Sequence, residues 1–311
     1  MKKIILFASL SLPMISCNQA AEEVNKRENS ALTEADAIVG SGDNNAIDVV
    51  TEEELVNFSG VSLLPAANLD QYPAESLAAL QLVSKINSEQ TVVFGGDGQS
   101  WLYGGPDSAG LEAIEPAISG LQGRTRYVLP EGDFWVVDAE TVSKRKAAAD
   151  PEQENRIVMF NFDLTALAGS RDNLRVLGIT HEALILHMGS HVGVLEVKDD
   201  LASAYEFEIK LPGAAAGSIL SAGAIEQGGY WFLTDSSNFA LLTQKEGAWT
   251  WSVVSLPMTN SEGNLKAAAL WLDSAAQSAA GDAAILTDLG LYSITGAPIA
   301  APAVAPPEEE D

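Results

Sequence analysis

Apolar and polar positions alternate in short runs from about Glu53 to about Thr295, the period-two pattern of β-strands rather than the longer period of helices. One figure recurs: an apolar run, a polar tip, two or three small or polar residues, and a second apolar run. It is clearest at Tyr230–Leu242, YWFLTDSSNFALL, and it occurs five times, around Asp97, Asp138, His187, Asp235 and Asp288. Three residues before each tip stand Phe94, Trp135, Leu184, Phe232 and Ile285; four residues after it stand Trp101, Val142, His191, Phe239 and Tyr292. The tips are 41, 49, 48 and 53 residues apart, so the chain is a repeat protein.

Each hairpin has strand-like neighbours. Before it lies a small-residue apolar stretch (Leu77–Val83, Arg126–Leu129, Arg175–Ile179, Ser218–Ile225, Ala267–Leu272). After it lies an alternating stretch at Ile157–Leu164, Ala204–Leu211 and Trp249–Leu256, with a weaker Leu111–Ile118 in the first repeat that suits a strand or a helix. A unit of strand, strand, tight turn, strand and strand over 40–55 residues is the sequence signature of a propeller blade. The last repeat lacks a fourth strand, while Glu54–Leu64 before the first repeat is a strand without a partner. The pattern therefore predicts an all-β chain, a β-propeller of five four-stranded blades in which Glu54–Leu64 completes the last blade and leaves no sheet edge bare. A β-sandwich or barrel of similar length is the alternative.

The tips call for turn chemistry. Asp opening a turn accepts hydrogen bonds from backbone N–H groups two or three residues on, so Asp97, Asp138, Asp235 and Asp288, with His187 in the same slot, read as structural turn residues. A four-residue connection would set the position before each tip opposite the position four after it. The competing reading makes the same acids a ring around a calcium ion or substrate.

The chain ends differ from its middle. Lys2 and Lys3 precede the twelve-residue apolar run Ile4–Ile15, too short to span a bilayer, which needs about 20 residues. Ser16-Cys17 closes the run, and Met14-Ile15-Ser16-Cys17 resembles the bacterial lipoprotein lipobox, with Met14 where that family prefers Leu. The resemblance implies cleavage before Cys17, three acyl chains on it, and a membrane anchor. Asn18 after the Cys resembles an outer-membrane sorting signal. Cys17 is the only cysteine, so no intramolecular disulfide can form. The expected layout is a signal peptide over 1–17, a flexible acidic tether over 18–52 with a possible short helix near 30–38, the propeller over 53–296, and a disordered Ala/Pro-rich acidic tail over 297–311.

Composition narrows the partners. The net charge of −26, or −28 once Lys2 and Lys3 are removed, repels phosphate backbones and argues against nucleic acid. All three histidines fall in THEALILHMGSH, so His181, His187 and His191 with Glu182 are candidate metal ligands. The spacing is not HExxH, and His187 and His191 occupy slots that the other repeats fill with structural residues. Gly95–Ser100 lacks the lysine of a phosphate loop, and Ser190 is misplaced for a nucleophile elbow. Val136–Thr141 resembles one element of quinoprotein-type propeller repeats, in a single blade and without the Gly and Trp that follow it there. No catalytic residue and no cofactor is predicted. The reading is an envelope-anchored lipoprotein whose acidic propeller binds or scaffolds a protein or small ligand. The alternatives are an exported hydrolase, for example glycan-active, with acids in the funnel, and a calcium- or metal-binding propeller.

Overall fold

The computed structural model describes residues 7–8, 56–57, 62–65 and most of 74–295, leaving out 88, 97, 105–109, 115–124, 146–157, 165–166, 168–172, 199–200, 226–228, 246–247, 257, 259 and 271–282. Five antiparallel sheets form a ring, a five-bladed β-propeller. Blade one comprises Leu80–Lys85, Thr91–Gly95, Ser100–Tyr103 and Leu111–Ala113, entered through the short helix Ala74–Ala79. Blade two comprises Thr125–Val128, Phe134–Val137, Thr141–Arg145 and Val158–Asp163. Blade three comprises Arg175–Ile179, Ala183–Met188, His191–Lys198 and Leu201–Glu208. Blade four comprises Ile219–Ala224, Gly229–Thr234, Asn238–Lys245 and Ala248–Ser255. Blade five has Leu265–Leu270, Ala283–Thr287 and Gly290–Thr295, and takes its outer strand from Ser62–Pro65.

Closure occurs where the sequence placed it, over a shorter segment. Ser62 to Pro65 pair antiparallel with Thr295 to Tyr292, giving blade five its fourth strand. The expected closing strand began at Glu54. Instead Val56–Asn57 pairs in parallel with Val254–Ser255 on the rim of blade four, so the incoming chain bridges two blades. Likewise the weak Leu111–Ile118 stretch is a strand over only Leu111–Ala113. Phe7–Ala8, in the apolar run of the leader, pairs antiparallel with Ala202 and Leu201 on the outer edge of blade three. The tether, Cys17 and the acidic tail lie outside the described residues.

The inner strands of blades four and five, ILSAGA and LKAAAL, are rich in small residues because the axis leaves little room for side chains. Inner strands of blades one, three, four and five touch around it. Ile179 N–H of blade three donates to Ser84 Oγ of blade one at 3.2 Å, two blades away, so blade two is seated outside this contact. A Cβ on Gly178 would stand 2.0 Å from the Ala222 carbonyl oxygen, so only glycine allows blades three and four to approach so closely. Between the blades, Phe94, Trp135, Leu184, Phe232 and Ile285, all three residues before a tip, are wholly buried.

The hairpins do not share one register, which corrects the expected four-residue connection. Blade two alone pairs as predicted, Val137 opposite Val142. Phe94 faces Ser100 in blade one, Met188 faces His191 in blade three, Leu233 faces Phe239 in blade four, and Thr287 faces Gly290 in blade five. His187 is therefore not a turn tip: it lies within a strand opposite Val192. The turn there is Gly189-Ser190, because Gly189 adopts φ 63°, which His187 would reach only under strain.

Candidate functional site

Of the predicted tips, Asp138 behaves as an ordinary turn aspartate. Its Oδ1 accepts the N–H groups of Glu140 at 2.9 Å and Thr141 at 2.6 Å, and its Oδ2 accepts the Thr141 hydroxyl. Asp235 and Asp288 reach further, to the loop that enters their own blade. Asp235 Oδ1 accepts Ser218 N–H at 3.0 Å. Asp288 accepts Asn264 N–H at 2.8 Å and the Asn264 side-chain amide at 2.9 Å, contacts that hold its carboxyl below the usual carboxylate range. These acids tie the second strand to the approach of the first. Asp97 lies outside the described residues.

The histidines separate. His181 and Glu182 occupy the turn before the blade-three strand Ala183–Met188, whereas His187 and His191 lie at its far end. Six residues of strand span about 20 Å. His187 pairs with Val192, so His191 faces the other side of the sheet. His187 Nδ1 is 3.3 Å from the Arg175 guanidinium, and burial together with that cation lowers its pKa. His191 Nδ1 is 3.3 Å from Ser190 Oγ. Among the described residues no three His, Cys, Asp or Glu side chains converge on one point.

A concave site lies at the other end of the ring, where the inner strands finish. A cavity of about 420 Å³, within the usual range for ligand pockets, opens above Ile179, Ala222 and Leu270 on the inner strands of blades three, four and five. Blade three contributes His181, Glu182 and Glu196, and blade four contributes Tyr230 and Trp231. Each wall is fixed from behind. Thr180 Oγ1 accepts Ala183 N–H at 2.8 Å and Glu182 N–H at 3.2 Å, shaping the turn that displays His181 and Glu182. Blade two grips the same turn: Trp135 Nε1–H donates to the Thr180 carbonyl at 3.3 Å and Lys144 Nζ donates to the His181 carbonyl. Burial lowers the Lys144 pKa, with Asp133, Glu182 and Glu131 opposing that shift. Asn87 Oδ1 accepts Glu89 N–H and Gln90 N–H, building the blade-one rim.

The chemistry of the cavity centres on a relay at the blade three–four boundary. Tyr205 OH donates to Glu196 Oε1 at 2.9 Å, and the Tyr230 and Tyr205 hydroxyls are 2.6 Å apart. Burial raises both tyrosine pKa values well above their ordinary value, so both hydroxyls stay protonated and the donation runs from Tyr230 to Tyr205 to Glu196. Trp231 is buried, and its indole N–H has no acceptor among the described residues. A Cβ at Gly223 would meet that nitrogen at 2.4 Å, so glycine makes room for the ring. His181 Nε2 stands 3.7 Å from Glu131 Oε1, a charge contact too long for a hydrogen bond.

Sequence reasoning named His181 and Glu182 but neither Glu196 nor Tyr205, Tyr230 and Trp231. A signal for Glu196 existed: it is the lone acid in the apolar strand His191–Lys198. Tyr205 and Tyr230 gave none, since they come from different blades.

No family model matches the chain, and no curated protein matches it. Solved structures do. The chain is similar to the Pan2 WD40 domain of Neurospora crassa, with a TM-score of 0.40, 6% identity, and coverage of 80% of this chain and 99% of that one. It is similar to Hsv2 of Kluyveromyces marxianus at a TM-score of 0.37 and 7% identity, covering 72% and 74%. Against the WD40 domain of SCAP from fission yeast the TM-score is 0.32 at 12% identity, covering 68% of this chain and 51% of that one. The chain thus spans about half of that last protein's length.

Proposed function

We propose that this protein is an envelope-anchored lipoprotein whose acidic propeller is a binding module, with the cavity at the inner-strand ends as its recognition site. The observation that carries the binding reading is that cavity: about 420 Å³, mostly apolar below, with Glu182 and Glu196 along one wall. Its walls are held by hydrogen bonds from three blades, so the site is preformed and binding orders little additional chain. Anchoring rests on the lipobox-like Met14–Cys17 and on a lone cysteine that needs a use in an exported chain. Acyl labelling in cells tests the anchor: the wild-type chain takes up label and stays with membranes, while Cys17→Ser takes up none and is released or left unprocessed. Unchanged retention and processing in Cys17→Ser would refute it. Crosslinking of the tagged protein in its native envelope tests the module, and a Tyr230→Trp change that narrows the cavity is expected to erase specific adducts.

An exported hydrolase is the second reading, favoured by the presence of two carboxylates at one cavity. One oxygen of Glu196 is already occupied by Tyr205 OH, which suits a fixed binding group better than a carboxyl that must exchange protons. Glycan hydrolysis lost in both Glu182→Gln and Glu196→Gln would favour the enzyme.

A further inference from the structure

Glu196 presents one fixed and one open carboxylate oxygen to the cavity. Oε1 holds the Tyr205 hydroxyl, and among the described residues Oε2 has no hydrogen-bond partner. Glu182 at the exposed rim adds a second negative charge, shared with Lys144 behind the turn. The cavity's lysine, Lys85 of blade one, is engaged within the fold, and His181 Nε2 stands 3.7 Å from Glu131 Oε1. Ile86, Ile179, Ile185, Val194 and Leu270 supply apolar walls beside them. A half-buried carboxylate in such surroundings attracts a cation strongly, because little water competes for it. A bare metal ion would find too few oxygen ligands, and an anion would be repelled. What satisfies both the open oxygen and the apolar walls is a cationic head on a hydrocarbon stem.

Resting on the binding-module reading, we infer that the cavity binds an organic ammonium or guanidinium group carried on an apolar stem of a few carbons, with Glu196 as its counter-charge. The same chemistry is offered by a free alkylamine and by a lysine or arginine side chain of a partner. Calorimetric titration of the full chain with hexylammonium, hexanol and hexanoate tests the charge. Hexylammonium is expected to bind at least tenfold more tightly than hexanol, with hexanoate weakest. In Glu196→Gln, whose amide oxygen still accepts from Tyr205, hexylammonium falls to the level of hexanol while hexanol is unchanged; the melting temperature of the variant checks that it folds. Glu182→Gln, at the exposed rim, is expected to weaken hexylammonium by a smaller factor. Tighter binding of a Gly-Lys-Gly peptide than of hexylammonium would identify a partner side chain as the source, and the reverse a free amine. Equal affinities for hexylammonium and hexanol, or an unchanged ammonium affinity in Glu196→Gln, overturn the charge assignment but leave a ligand cavity. Failure of all three probes to bind overturns the assignment outright, while the envelope crosslinking still decides the module.

Discussion

Blades two and four place an aspartate at the same point of their tips, VVDAETV and LTDSSNF, yet they are stabilised differently. Blade four has strands of six to eight residues and an aromatic interior in which Phe232 packs 5.9 Å from Trp251 and Trp231 meets Phe239 edge-on at 5.5 Å. Its inner strand bulges between Ile219 and Ser221, and Asp235 locks the entering loop. Blade two has strands of four to six residues, its irregularity lies at Lys144/Arg145 toward the outer strand and not in the inner pair, it buries the charged side chains Arg126 and Lys144, and Asp138 accepts from the N–H groups of its own turn. The difference follows from what precedes the blade. Gly217-Ser218 and Gly263-Asn264 bring a backbone N–H beneath the tips of blades four and five. Blade two, seated outside the axial contact, instead spends its polar groups on the turn of blade three. The same turn aspartate thus finds different partners according to where the incoming chain lies.

The core should show this contrast most strongly. Phe232→Ala is expected to destabilise the domain by about 3–5 kcal/mol in denaturant unfolding, and Phe134→Ala, in a cluster with Val128 and Val136 among the described residues, by an amount at the low end of that range. Equal losses would remove the distinction between the blades. Lys144→Met in blade two should cost about 1–3 kcal/mol, because the His181 carbonyl loses its donor; a neutral outcome would show that carbonyl to be solvated. Gly263→Ala should destabilise by about 1–3 kcal/mol: its φ is 83°, and a Cβ would stand 2.2 Å from Asp288 Oδ1. Adding Asp288→Ala should recover the steric part of that loss and leave the backbone part, so strict additivity would contradict the geometry. Asp235→Ala is expected to cost about 1 kcal/mol and Asp235→Asn a few tenths, since the amide oxygen still accepts Ser218 N–H. A calcium-dependent rise in melting temperature that vanishes in Asp235→Asn would overturn the structural role.

The smallest effect is a pH dependence. The Asn264 N–H holds the Asp288 carboxyl low in the folded chain. Its contribution is therefore fully present above the ordinary carboxylate pKa of about 3.9 and is lost as pH falls through the lower folded value. The melting difference between wild type and Asp288→Asn should shrink below about pH 4.

The repeat, the strand count and the closure by an N-terminal segment were all legible in the sequence, because period-two burial and turn residues are local. Phe94, Trp135, Leu184, Phe232 and Ile285 hold the same place before each tip and are equally buried. Hairpin register was not legible, since it depends on which residue takes the left-handed conformation: Gly189 in blade three, Ser237 in blade four. Nor was the partner of Asp235, which lies 17 residues upstream. The cavity was hidden for a similar reason. Tyr205 and Tyr230 belong to different blades and meet only when the ring forms.

The closing pair also has a mechanical consequence. Ser62 lies opposite Thr295, so the two chain ends of that ladder leave it on the same side. A load applied between them acts on one rung at a time, beginning with Thr295 and Ser62 and proceeding toward Tyr292 and Pro65. Such a seam unzips under a modest pull and separates completely, because no turn joins its two strands. Under tension the ring should therefore open first at blade five and keep its other four blades folded.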